Sequence, residues 1–164
     1  MDAPGEVASA GTGDDPGPPV ILVHVNGDAG VPGSRQLLTR GVRAVLEREG
    51  VEEGEVSVTL LPDPEIRELN RRYLGHDRVT DVLSFALNRE GEPPLGDLYL
   101  GVEEAARQAA EAGVALEEEL LRLAVHGTLH LLGWDHPEGE ERLGSEMFQL
   151  QEALVAALMA EEGP

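Results

Sequence analysis

The chain has 164 residues, 41% of them hydrophobic but only 3% aromatic, no cysteine, and a formal net charge of −20. This length suits one domain whose core must be filled by Leu, Val and Ala. The lack of cysteine excludes disulfides and thiolate metal sites, so any metal must be held by His or carboxylate. The acidic balance speaks against capture of naked nucleic acid by the average surface, because affinity for phosphate comes from Lys and Arg. Residues 1–19, "MDAPGEVASAGTGDDPGPP", have no basic start and no apolar run, so they read as a solvated, disordered tail rather than a signal peptide. No apolar stretch approaches the roughly 20 residues that cross a bilayer. A cytoplasmic protein is expected.

From residue 20 the chain reads as a single domain ending near 160. "VILVHVN" (20–26) is short and β-rich, the first strand. "SRQLLTRGVRAVLEREG" follows as a helix, with Ser34 as its cap, Leu37, Leu38, Val42, Val45 and Leu46 at helical spacing, and Gly50 as its stop. "EVSVTLL" alternates with period two and is the second strand. "PDPEIRELNRRYLG" is a short helix opened by Asp63-Pro64 and closed by Gly75. "DVLSFAL" and "GDLYLGV" are two further strands joined by the turn-forming "NREGEPP". From Glu103 the pattern is helical, in three segments broken at Gly113 and Gly133. The order β-α-β-α-β-β-α-α-α predicts an α+β domain, a mixed four-stranded sheet packed with about five helices.

Within the last helical region lies "HGTLHLLGWDH", residues 126–136. On a helix, His126 and His130 share one face about 6 Å apart. Their neighbours Leu123, Ala124, Val125, Leu129, Leu131 and Leu132 make the helix apolar nearly all round, as expected of a buried one. Buried imidazoles need hydrogen-bond partners or a metal, since unsatisfied polar groups cost on the order of 1–3 kcal/mol each. Gly133 offers the left-handed residue that turns the chain back, which brings His136 within reach as a third ligand. Zinc held by three histidines keeps its fourth position for water, the arrangement of a catalytic site. Core histidines satisfied by hydrogen bonds are the alternative, and the three-residue spacing favours one Zn2+ ion per chain.

Neighbouring residues have simpler roles. Trp134 reads as a packing lid over the helix end. Asp135 either hydrogen-bonds a ligand imidazole or caps a helix beginning near Pro137. Glu138, Glu140 and Glu141 suit the acidic first turn of that helix. His24 and His76 read as structural or exposed. Gly127 stands where a zinc protease carries its glutamate base, and a peptide amine leaves badly without a delivered proton. Proteolysis is therefore disfavoured. Phosphodiester cleavage is compatible, because zinc lowers the pKa of bound water to about 7 without a dedicated base.

"TDVLSF" (80–85), "GDLYL" (96–100) and "HGTLHLLGWDH", in this order, resemble the YbeY family of bacterial endoribonucleases and rRNA maturation factors, over roughly residues 55–160. The resemblance implies a zinc-hydrolase-like mixed sheet with helices. It implies His126, His130 and His136 as ligands of one zinc and as catalytic residues, and single-stranded rRNA of the small ribosomal subunit as substrate. The subunit and its proteins are the implied partners. One position departs from the family pattern: after "LN" it runs Asn-x-x-Tyr-Arg-Gly, whereas "NRRYLG" places Leu74 at the arginine. A leucine cannot clamp phosphate. Arg78 is the candidate to do so, with Arg71 and Arg72 nearby. Leu74 also keeps open a non-catalytic ribosome-assembly factor with structural zinc.

Overall fold

The computed structural model describes residues 17–136, 141 and 144–162. The predicted tail therefore lies outside the described residues up to 16, as do Pro137, Glu138 and Glu140. Four strands and five α-helices are found among the described residues: β1 (Ile21–Asn26), α1 (Ser34–Arg48), β2 (Gly54–Leu61), α2 (Asp63–Leu74), β3 (Val82–Ala86), β4 (Leu95–Gly101), α3 (Val102–Ala112), α4 (Leu116–Leu131) and α5 (Glu146–Glu162). The order and the α+β class are those expected from the sequence. No helix is long and apolar enough to cross a membrane.

The sheet runs β1-β2-β4-β3. β1, β2 and β4 are parallel, and β3 returns antiparallel along β4, with Ser84 opposite Leu98. Period-two alternation decides what each face meets. Val25, Val56, Val58, Leu60, Leu98 and Leu100 point to one side and join Leu38, Val42, Leu46, Leu120, Leu123 and Ala124 of α1 and α4 in the main core. A second core lies behind those helices, where Leu37, Val45, Leu121, Val125 and Leu129 meet Met147, Val155 and Leu158 of α5. α4 is thus buried on two sides, between the sheet and α5, which explains its nearly continuous apolar sequence. On the other face of the sheet Tyr73 of α2 meets Phe85 edge-on at 5.7 Å, and Phe85 meets Tyr99 at 6.0 Å.

Helix ends follow the sequence signals with one correction. Gly75 and Gly113 close α2 and α3 in the left-handed region, and Pro62 precedes α2 with Asp63 and Glu65 in its first turn. Ser34 is not the cap expected of it. It is the first helical residue, buried, behind Gly33 at φ 83°, and no side chain caps α1. The left-handed glycine sets the entry angle that a serine cap would otherwise provide. α1 ends at Arg48, with Gly50 at φ 78° completing the turn.

Gly127 has a packing role that the sequence did not disclose. A Cβ there would lie 2.9 Å from Leu98 Cδ2, 3.0 Å from Ser84 Oγ and 3.3 Å from Val82 Cγ2. α4 presses directly on β3 and β4 at this residue, and the Ser84 hydroxyl donates to the Gly127 carbonyl at 3.4 Å. The position faces the sheet, so a side chain there would have to displace Leu98 and Ser84.

Candidate metal centre

His126 and His130 sit one turn apart on α4, half-buried, with ring centroids 4.6 Å apart. The helix ends at once: Gly133, at φ 95°, turns the chain, its N–H donating to the His130 carbonyl and that of Trp134 to Leu129. The turn returns His136 to the other two rings, with centroids 5.2 Å from each. One ring nitrogen from each residue lies within 4.8 Å of the others. The structure brings together the three histidines singled out from the sequence.

Hydrogen bonds fix which nitrogens face inward. His130 Nδ1 lies 3.0 Å from the Trp134 carbonyl, which can only accept, so Nδ1 carries the hydrogen and Nε2 the lone pair. His126 Nδ1 lies 2.7 Å from Gln151 Oε1 and is likewise the donor. The two Nε2 atoms are then 3.1 Å apart, each presenting a lone pair. Two acceptors at this distance repel unless a cation or a proton lies between them. Burial, the largest cause for both rings, holds the His126 and His130 pKa below the usual histidine value, which opposes the proton. The Gln151 bond to His126 and the Trp134 bond to His130 push the other way without overcoming burial. Nitrogens bound at 2.0–2.1 Å in a tetrahedron are about 3.3 Å apart, close to the separation seen. Three neutral imidazoles are also a donor set that suits zinc. The residues fit such an ion.

Surrounding groups have resolved roles. Trp134 packs on the second core, as a lid would, and its indole N–H donates to Glu49 at 2.8 Å. The helix that Asp135 is expected to cap lies outside the described residues; Asp135 accepts from the His136 backbone N–H at 2.8 Å and so shapes the turn that presents that ring. His24 pairs with Glu55 on the exposed sheet face, and His76 is exposed.

Beside His126 opens a cavity of about 340 Å³, walled by Asp81, Gln108, Glu111, Glu119, Arg122, Phe148 and Gln151 among others. Its arginine is Arg122, bound to Glu118, Glu119 and Glu152 at 2.8–3.1 Å. These three carboxylates outweigh desolvation and raise its pKa. The cleft is therefore mainly acidic, not lined by arginines as a nuclease reading of the sequence suggests. The basic segment 66–80 is largely neutralised: Arg71 and Arg72 reach Glu68, and Arg67 reaches Asp77 at 2.8 Å. Arg78 is exposed in the loop before β3, three residues ahead of Asp81. Its carbonyl accepts from the Asn70 amide, and no ion pair reaches its guanidinium among the described residues. Leu74 is 50% exposed at the end of α2.

Gln151 and the Arg122 cluster escaped sequence reasoning. A signal existed for the first: in "EMFQLQEALV" Gln151 is a polar residue on the stripe Met147, Val155, Leu158, four residues from its apolar neighbours.

A family model described as Endoribonuclease YbeY matches residues 30–159. The Endoribonuclease YbeY of Pelotomaculum thermopropionicum is 46% identical over 134 residues, 76% of this chain and 88% of that protein. That of Moorella thermoacetica is 45% identical over 148 residues, 81% and 94% of the two chains, and that of Bacillus subtilis is 44% identical over 123. A Thermotoga maritima protein solved in solution aligns with a TM-score of 0.63 at 31% identity, covering 85% of this chain and 90% of its own. The family model spans three of the four strands and the histidine-bearing helix, and relatives match nearly half of the residues across most of their length: this chain belongs to the endoribonuclease YbeY family.

Proposed function

We propose that this chain is a zinc-dependent endoribonuclease that cuts single-stranded RNA, acting in the cytoplasm in 3′-end maturation of small-subunit ribosomal RNA and in ribosome quality control. The observation that carries the reading is the pair of Nε2 lone pairs facing each other at 3.1 Å, with His136 beside them. When bound, a zinc ion supplies Lewis acidity at the phosphodiester and lowers the pKa of water to about 7. His126, His130 and His136 hold it, and burial keeps the first two rings unprotonated and ready to coordinate. Gln151 and the Trp134 carbonyl orient two of the rings. Arg78 is the residue assigned to phosphate contact, being exposed and without an ion-pair partner among the described residues. Gly127 supplies no carboxylate base at the position that follows His126, which suits phosphodiester rather than peptide cleavage.

A net charge of −20 and an acidic cavity would repel free RNA. The ribosomal particle and its proteins are therefore the partners that present the substrate. Small-subunit particles carrying unprocessed rRNA test the reading directly: with zinc the parent trims the rRNA 3′ end, and His130→Ala does not. Equal cleavage by both would place the activity outside this site.

Leu74, in place of the family arginine, favours a second reading as a non-catalytic assembly factor with structural zinc. Two apolar cores built from α1, α4, α5 and the sheet hold the domain together, so on the enzymatic reading chelation removes activity while the fold persists. Unfolding on chelation would favour the second.

A further inference from the structure

Gln151 is 5% exposed, the one polar member of the buried stripe of α5. A buried side-chain amide must find partners for a carbonyl oxygen and an NH2 group. Here Oε1 faces His126 Nδ1 at 2.7 Å and Nε2 donates to Glu152 Oε2 at 3.0 Å. A carboxylate only accepts, so Glu152 forces the NH2 end of the amide toward itself and the oxygen toward the imidazole. Glu152 is fixed in turn by a two-pronged bond from Arg122, 2.8 Å from Nε to Oε2 and 3.1 Å to Oε1. Arg122 lies on α4 one turn before His126. The chain of bonds therefore leaves α4, crosses to α5 and returns to α4 at the ring it orients.

The consequence concerns the tautomer of His126. An amide turned end for end would offer N–H to Nδ1, place the ring hydrogen on Nε2 and remove the lone pair that faces His130. His130 needs no such safeguard, since its partner is a backbone carbonyl, which cannot donate. We propose that Gln151 is a positioning residue of the metal centre, holding His126 as the Nδ1–H tautomer, with its amide oriented by the Glu152–Arg122 pair. The proposal rests on the reading of the triad as a metal site and is independent of RNA cleavage.

Two measurements on the full chain test it: zinc affinity by competition with a chromogenic chelator, and the His126 tautomer in metal-free protein by long-range 1H–15N NMR. In the parent the ring is Nδ1–H. Gln151→Leu, which keeps the volume but not the acceptor, weakens zinc binding about 10–100-fold and introduces the Nε2–H form. The exchanged pair Gln151→Glu/Glu152→Gln keeps an acceptor for His126 and a donor between the two side chains, and restores both the affinity and the tautomer, a rescue that loss of packing alone would not produce. Circular dichroism of metal-free Gln151→Leu matches the parent. If that variant does not fold, Glu152→Gln carries the test, with weaker zinc binding and a mixed tautomer expected. Parental affinity and tautomer in Gln151→Leu, or in Glu152→Gln should the first not fold, overturn the proposal while leaving the metal site standing. A parent that binds no zinc removes the metal reading and this proposal together.

Discussion

Gly127→Glu would restore the base of a zinc protease on paper, and the structure predicts that it destabilises the fold instead. The first added atom would lie 2.9 Å from Leu98 Cδ2 and 3.0 Å from Ser84 Oγ, and Leu98 is fully buried. Overpacking of this kind costs about 1–3 kcal/mol. Replacing a helical glycine returns about 1 kcal/mol, so Gly127→Ala should lose roughly 0–2 kcal/mol. The longer side chain, starting between Leu98, Ser84 and Val82, adds about 1–3 kcal/mol for a carboxylate taken out of water. Gly127→Glu should therefore lose roughly 1–5 kcal/mol, up to a large part of the usual stability of a domain. Urea unfolding of parent, Gly127→Ala and Gly127→Glu reads these differences, and casein digestion with zinc reads any gained proteolysis. A stable Gly127→Glu protein that digests casein would refute the claim that this glycine is required by packing.

Other expectations concern charge and metal. In metal-free protein, burial keeps His126 and His130 below their unfolded pKa. As pH falls through about 6.5 the unfolded chain takes up protons that the folded rings refuse, so stability falls; above that value both states are neutral and this dependence ends. Urea midpoints between about pH 5 and 8 should show the slope in the parent and a reduced one in His126→Ala/His130→Ala. Arg78→Ala should lower RNA cleavage about tenfold, the worth of one charged hydrogen bond, while stability moves by less than about 0.5 kcal/mol; steady-state kinetics and thermal melts separate the two. Arg122→Met leaves three carboxylates facing one another around a half-buried site and should cost about 1–3 kcal/mol, read by denaturant titration. Dialysis against chelator should abolish cleavage reversibly, and added zinc should raise the melting temperature by mass action.

The architecture was legible because the sequence keeps two clear periods. Strand alternation in "EVSVTLL" and helical spacing in "SRQLLTRGVRAVLEREG" gave the order of elements, and glycines at 75, 113 and 133 marked helix ends where the left-handed backbone requires them. The triad was legible for a related reason: helical spacing and one turn glycine place three rings together without any long-range contact. What depends on contacts across the fold was not legible. Ser34 carries the right chemistry for a cap, yet Gly33 holds the entry to α1. Arg71 and Arg72 stood beside Arg78 as phosphate contacts in the sequence, but Glu68, in the same segment, engages them. Gly127 was read for the chemistry it lacks, whereas its smallness lets α4 lie against β3 and β4. The support that Gln151 gives to His126 spans 25 residues and two helices, a pairing that neither local period encodes.

Elemental analysis of native protein, purified without chelators or added metal, bears most directly on the central claim that three imidazoles hold one catalytic ion. The account predicts one zinc per chain in the parent and none in His126→Ala, His130→Ala or His136→Ala. A parent that cleaves RNA while carrying no stoichiometric metal, or histidine variants that retain it, would contradict the account.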